Sequence, residues 1–125
     1  NMKVIATKNA PAAVGPYSQA IDCGDTVYCS GQIPLDPQTG AVVEGGLEAQ
    51  AHQMFRNVKA VLAEAGLSLQ NVVKTTVFMT DLGQFGALNA IYDEYFAEPY
   101  PARSCVEVSA LPKGVLVECE VIARR

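Results

Sequence analysis

The chain contains no tryptophan and one histidine, His52. That scarcity removes the Ser-His-Asp triad and the histidine-rich metal site as options unless His52 serves them. His52 falls in a helical segment, beside its apolar stripe, where an exposed helix residue is expected. Acid–base chemistry is therefore left to carboxylates, tyrosine, cysteine, lysine or water. The four cysteines, at 23, 29, 105 and 119, form no CxxC pair, so no zinc spacing exists and no metal is expected. Cys29 and Cys119 lie in apolar runs and read as small core residues. Basic residues are also few, nine against thirteen acidic ones, for a net charge of −4. The only adjacent basic pair is Arg124-Arg125, which argues against nucleic acid as the main partner. No apolar run approaches the roughly 20 residues of a membrane span, so no membrane partner is expected. Residues 1–7 lack the apolar stretch of a signal peptide, and a cytoplasmic location with free thiols is expected. Asn1, ahead of Met2, reads as a leftover of protein production.

What is present is a chain of 125 residues, half of them hydrophobic and 18% charged. That is the size and composition of one domain, spanning 1–125. Residues 3–6 read as a short strand. Residues 8–16, with two prolines and a glycine, read as a loop. Residues 17–22 and 26–30 suggest a hairpin across Cys23-Gly24-Asp25. The spacing of Leu47, Ala51, Met54, Phe55, Val58, Val61, Leu62 and Ala65 predicts a helix, with Gly66 as its stop. Gln50, Gln53, Arg56, Asn57 and Lys59 fall on its polar side. Residues 71–79 predict a strand, with Val73, Thr75, Val77 and Met79 on one face and Val72, Lys74, Thr76 and Phe78 on the other. Thr80 or Asp81 is placed to cap a second helix with the stripe Phe85, Leu88, Ile91, Tyr92, Tyr95 and Phe96. Two strands, about 102–108 and 115–123, follow, with Leu111–Gly114 turning between them.

Two helices cover one face of a sheet. The strand at 71–79 carries apolar residues on both faces, and nothing in the chain remains to cover the second. Self-association is the expectation.

Strand parity then locates candidate chemistry. Arg103, Cys105 and Glu107 share one face of their strand. Glu118 and Glu120 share one face of the last, with Leu116 and Ile122. These charges fit either a solvated face or a half-buried cleft in which Arg103 grips a carboxylate and one glutamate orients water. Parity does not choose between Glu118 and Glu120. Tyr17 follows the stiff Gly15-Pro16 turn. Ser30-Gly31 ends a strand where a ligand can approach backbone. Asn89 sits off the main stripe of the second helix.

Four blocks carry a resemblance to a known family: Gly15-Pro16-Tyr17-Ser18-Gln19-Ala20, Ser30-Gly31-Gln32-Ile33-Pro34, Val73-Lys74-Thr75-Thr76-Val77-Phe78 and Pro101-Ala102-Arg103-Ser104-Cys105-Val106-Glu107-Val108. With Leu111–Gly114 and Val117–Ala123 they make the whole chain resemble the Rid family, the reactive intermediate imine deaminases, in the branch that carries Arg103. The resemblance implies an α+β, chorismate-mutase-like fold of the trimeric type, a mixed sheet with two helices on one face. It implies a homotrimer with clefts between subunits and no cofactor. It also implies hydrolysis of enamine and imine acids such as 2-aminoacrylate and 2-aminocrotonate to 2-keto acids and ammonia.

In that scheme Arg103 pairs with the substrate carboxylate and Glu118 is the water-activating base. Tyr17, Ser30, Gly31, Asn89 and Cys105 line the cleft. A second reading of the same cleft is a trimeric binding module for 2-keto or amino acids, or a chaperone-like regulator. A third, an isomerase, rests on fold analogy alone.

Overall fold

In this computed structural model, which describes residues 2–125, six strands form one mixed sheet in the order β1-β2-β3-β6-β4-β5. The strands are β1 (Lys3–Ile5), β2 (Ala20–Asp22), β3 (Thr26–Gln32), β4 (Val72–Met79), β5 (Ala102–Glu107) and β6 (Val117–Arg124). Helix α1 (Leu47–Glu64) and helix α2 (Phe85–Tyr95) supply the cover. Asn1 lies outside the described residues. No helix among the described residues is long and apolar enough to cross a membrane.

The predicted helix over 47–65 forms, and Gly66 leaves it at a φ of +77°, the left-handed conformation that a glycine adopts without strain. Its stripe packs Met54, Phe55, Val58, Val61 and Leu62 against Val27, Val77, Val117, Cys119 and Val121 of the sheet. Phe55 meets Tyr92, Tyr95 and Phe96 of the second helix region at ring distances of 5.8, 4.9 and 5.8 Å. Each such fully buried apolar side chain contributes about 1.5–3 kcal/mol.

The turn at Cys23–Asp25 closes the β2–β3 hairpin. Gly24 has a φ of +95° and donates its N–H to Asp22 Oδ1 at 2.9 Å. The Gly24 N–H holds the Asp22 carboxyl below the usual range, and the pairing of Asp22 with Arg125 adds to this.

Several expectations are corrected. Residues 17–19 are not strand, because Gln19 turns its side chain onto the backbone of residues 7–11. β3 runs on through Ser30-Gly31 to Gln32, with one extra residue between Cys29 and Gln32 opposite β6. A second bulge at the start of β4 moves Val72 to the covered face and leaves Val73 exposed, the reverse of simple alternation. Asp81 caps a short 3-10 turn, Leu82–Gln84, which runs into α2, by accepting from Gly83 N at 2.8 Å. The two last strands are not neighbours: β5 pairs parallel to β4 at the sheet edge, while β6 enters between β3 and β4. His52 is half-buried rather than exposed, its Nδ1 2.8 Å from Tyr95 Oη. Gln50 and Asn57, expected on the polar side of α1, are buried.

The face of the sheet away from the helices carries Tyr28, Phe78, Val106, Ile122, Lys74, Thr76, Glu118 and Glu120. Tyr28 and Val106 are 51% and 41% exposed there. The uncovered apolar face expected from the sequence is therefore present.

Candidate active site

The seven residues singled out in the sequence fall into two groups. Arg103 pairs in register with Thr75, whose side chain faces α2 and shares a 2.9 Å hydrogen bond with Tyr92. Arg103 therefore also faces the helices. Its guanidinium lies over the Tyr92 ring at 4.7 Å and near that of Phe85 at 5.4 Å. Its Nη1 donates to Asn89 Oδ1 at 2.8 Å. One edge of the fork is held, and its other N–H groups remain to take a carboxylate. The hollow here is about 660 Å³, bounded by Asn89, Asp93, Tyr100 and Pro101. Tyr100 donates to Asp93 across it. Cys105 follows two residues on, its thiol against Met79 Sδ at 3.8 Å. Burial raises its pKa more than Arg103 lowers it, so it is a thiol at neutral pH. Burial likewise holds the Cys29 thiol up at about 12 and raises that of Cys119.

The second group lies on the other face. Glu118 pairs with Phe78 on the side without helices. Tyr17, Ser30, Gly31 and Glu118 line one hollow of about 380 Å³ with Pro11, Ala12, Val14, Ile33, Leu35 and Lys113. Gly31 sits on the bulged stretch of β3, directly against the glutamate. A Cβ there would lie 2.0 Å from Glu118 Oε2. Partial burial raises the Glu118 pKa, and the neighbouring Glu120 raises it further. A carboxylate in that condition is a stronger base than one in water. The Ser30 hydroxyl donates to Ser18 O at 2.6 Å, so it builds the wall rather than offering a free proton. Tyr17 is half exposed, which excludes a core role.

Asn89, Arg103 and Cys105 thus face the helices, while Tyr17, Ser30, Gly31 and Glu118 form a cluster opposite. A cleft holding Arg103 and Glu118 together does not exist within one chain. Parity in the sequence gives the orientation of each strand's residues but not which faces of two separate strands coincide.

Sequence reasoning missed the aromatic bed of the arginine, since Phe85 and Tyr92 read as helix stripe. It also missed Lys113 and the apolar wall from Pro11 to Val14. Lys113 carried one signal, its place in the Leu111–Gly114 turn, where it adopts a φ of +57°. No group of three or more His, Cys, Asp or Glu among the described residues is arranged to hold a metal ion.

Comparison with known proteins adds the relatives. The family model described as Endoribonuclease L-PSP matches residues 7–125. The chain is 56% identical to the 2-iminobutanoate/2-iminopropanoate deaminase of Salmonella typhimurium, covering 98% of each chain. It is 52% identical to a RutC family protein of Pyrococcus abyssi, covering 97% of this chain and 95% of that one. Among solved structures, RidA from an Antarctic Psychrobacter is similar at a TM-score of 0.95 and 51% identity, covering 98% and 99% of the two chains. TdcF of Escherichia coli, solved with bound serine, is similar at 0.92 and 48%, covering 98% of each. The architecture described above is the chorismate-mutase-like fold of these structures.

Proposed function

We propose an activity from one premise: the chain belongs to the Rid family, which also carries the description Endoribonuclease L-PSP. It hydrolyses short 2-imino and 2-enamino acids, such as 2-aminoacrylate and 2-aminocrotonate, to 2-keto acids and ammonia. Arg103, clamped by Asn89 and bedded on Tyr92, is the observation that carries this reading. A planar, pre-oriented guanidinium with free N–H groups suits a small substrate carboxylate.

The chemistry balances simply. Glu118 takes a proton from water as the water oxygen bonds to the imine carbon. The same proton passes to the nitrogen, giving a carbinolamine. Its hydroxyl proton then moves through the same carboxylate to the amine, the C–N bond breaks with release of ammonia, and the hydroxyl-bearing carbon becomes the keto group. The imine is already electrophilic, so positioning and general-base catalysis suffice, the latter worth about 10²–10⁴-fold.

The opposed faces of Arg103 and Glu118 require two copies. On this reading, the uncovered sheet face packs against a neighbouring copy in a homotrimer. Arg103, Asn89 and Cys105 of one copy then meet Tyr17, Ser30, Gly31 and Glu118 of the next. The exposed Tyr28 and Val106 on that face support such packing. The net charge of −4 weighs against an RNA substrate, as does the position of the single histidine against Tyr95.

The test is a coupled assay. A pyridoxal-phosphate dehydratase generates the imine in place, and keto-acid release is followed with the wild type and Arg103→Ala. Acceleration by the wild type alone supports the reading. If neither protein accelerates release while the wild type still binds 2-ketobutyrate, the chain is a binding module instead.

A further inference from the structure

We propose that Gln19 is a positioning residue for the Glu118 base: its buried amide latches residues 7–11 to the sheet and so holds the Pro11–Tyr17 segment as a wall of the Glu118 hollow. The inference rests on the reading of Glu118 given above.

Gln19 precedes β2 and is 4% exposed. Its Oε1 accepts from Thr7 N at 2.6 Å. Its Nε2 is offered to Thr7 O at 3.1 Å, Pro11 O at 2.7 Å and Ala10 O at 3.4 Å. One acceptor and two donors on a single planar group are what this stretch of backbone demands. A carboxylate would face three carbonyls, and an aliphatic side chain would leave the backbone groups unpaired. Residues 6–19, which connect β1 to its ladder partner β2, belong to no strand themselves, so this amide pairs their backbone instead. The main chain of Gln19 also fixes the opposite wall, since its carbonyl accepts from Ser30 N at 2.9 Å.

The consequence reaches Glu118 through the hollow. Pro11, Ala12, Val14 and Tyr17 form one side, and Ser30, Gly31 and Glu118 the other. Gln19 does not line this hollow or touch the Arg103 group. Freeing the latch lets the Pro11–Tyr17 segment move away and admits water to the carboxylate. The partial burial that raises the Glu118 pKa is then reduced. Glu118 has Glu120 beside it on β6, Lys113 and the Tyr17 phenol around the hollow, and Lys74 farther along β4. In the assembly proposed above, Arg103 of the next copy also faces it. Substitution of Gln19 alters none of these groups directly.

The experiment follows the Glu118 carboxyl by ¹³C NMR in side-chain-labelled protein, assigned with Glu118→Gln, in the wild type, Gln19→Leu and Gln19→Asn. The shorter amide keeps the donors and acceptor but not the reach, and provides the readout should Gln19→Leu not fold. The Glu118 midpoint is expected to fall toward the ordinary value of about 4.3. In the same variants kcat is expected to drop about tenfold with binding of 2-ketobutyrate unchanged. A folded variant with lowered Tm but an unmoved Glu118 midpoint overturns the proposal, leaving Gln19 a purely structural residue. Failure of the deaminase reading shows separately, as a wild type without activity in the coupled assay.

Discussion

Gly31 and Glu118 are so close that the smallest possible side chain at 31 would occupy the space of the glutamate's Oε2. The close approach, rather than a special backbone angle, makes glycine necessary there. The colliding group is the far end of a flexible side chain, which can swing aside. Gly31→Ala is therefore expected to change Tm little but to displace the proposed base. A loss of kcat of about 10²-fold or more, with 2-ketobutyrate binding retained, is the outcome to look for in kinetics and calorimetry.

The raised pKa of Glu118 has a direct signature. The base acts deprotonated, so activity rises with pH through its midpoint. Burial and Glu120 both push that midpoint upward. The acid limb of the kcat/KM profile is expected above the ordinary glutamate value of about 4.3 and absent in Glu118→Gln. Glu120→Gln removes one of the two causes and should move the limb to lower pH.

Arg103→Lys tests whether charge alone is enough at this position. Lysine keeps the positive charge and loses both the planar fork and the stack over Tyr92. Loss of one charge-assisted hydrogen bond, about 1.5–3 kcal/mol, corresponds to a KM increase of about 10–150-fold. A KM within twofold of the wild type would show that the stack and fork are dispensable.

The separation of the two half-sites makes a mixing prediction. Arg103→Ala and Glu118→Gln chains are each expected to be inactive alone. Unfolded together in equal amounts and refolded, they should regain about a quarter of wild-type activity. That follows because a ring interface joins one residue from each neighbour and about one interface in four receives both intact partners. No recovery in assemblies shown to be mixed would place both groups within one chain's reach and contradict the opposed faces described here.

Asn57 offers a stability test outside the site. It is wholly buried and donates to Ile33 O and Leu35 O, both at 3.0 Å. Asn57→Ala leaves Leu35 O without its side-chain donor and Ile33 O with the Leu35 N–H alone, and should cost about 1–3 kcal/mol, measured by denaturant unfolding at fixed protomer concentration.

Asn57 also shows where the sequence stops being informative. The apolar spacing from Leu47 to Ala65 is enough to find α1, because burial repeats with the helical period. The polar residues between those positions read as solvent-facing, yet Gln50 and Asn57 are buried because loop backbone from a distant segment needs their amides. The same limit applies at β4, where the extra residue at Val73 reverses the face that alternation assigns to Val72. The residues of the candidate site are legible from the resemblance. Their division between two faces is not, since it depends on which strands lie side by side.

The strand order carries a consequence for how the protein is made. β6 is the last of the six strands in chain order, yet it lies between β3 and β4. Until it arrives, each of those strands presents an unpaired edge with apolar Val27, Cys29, Val77 and Met79 beside it. Such edges invite pairing with other nascent chains. A ribosome that stalls before residue 117 therefore releases two half-sheets without their shared partner. Folding of the core awaits the closing residues, and exposure to aggregation is greatest during that interval.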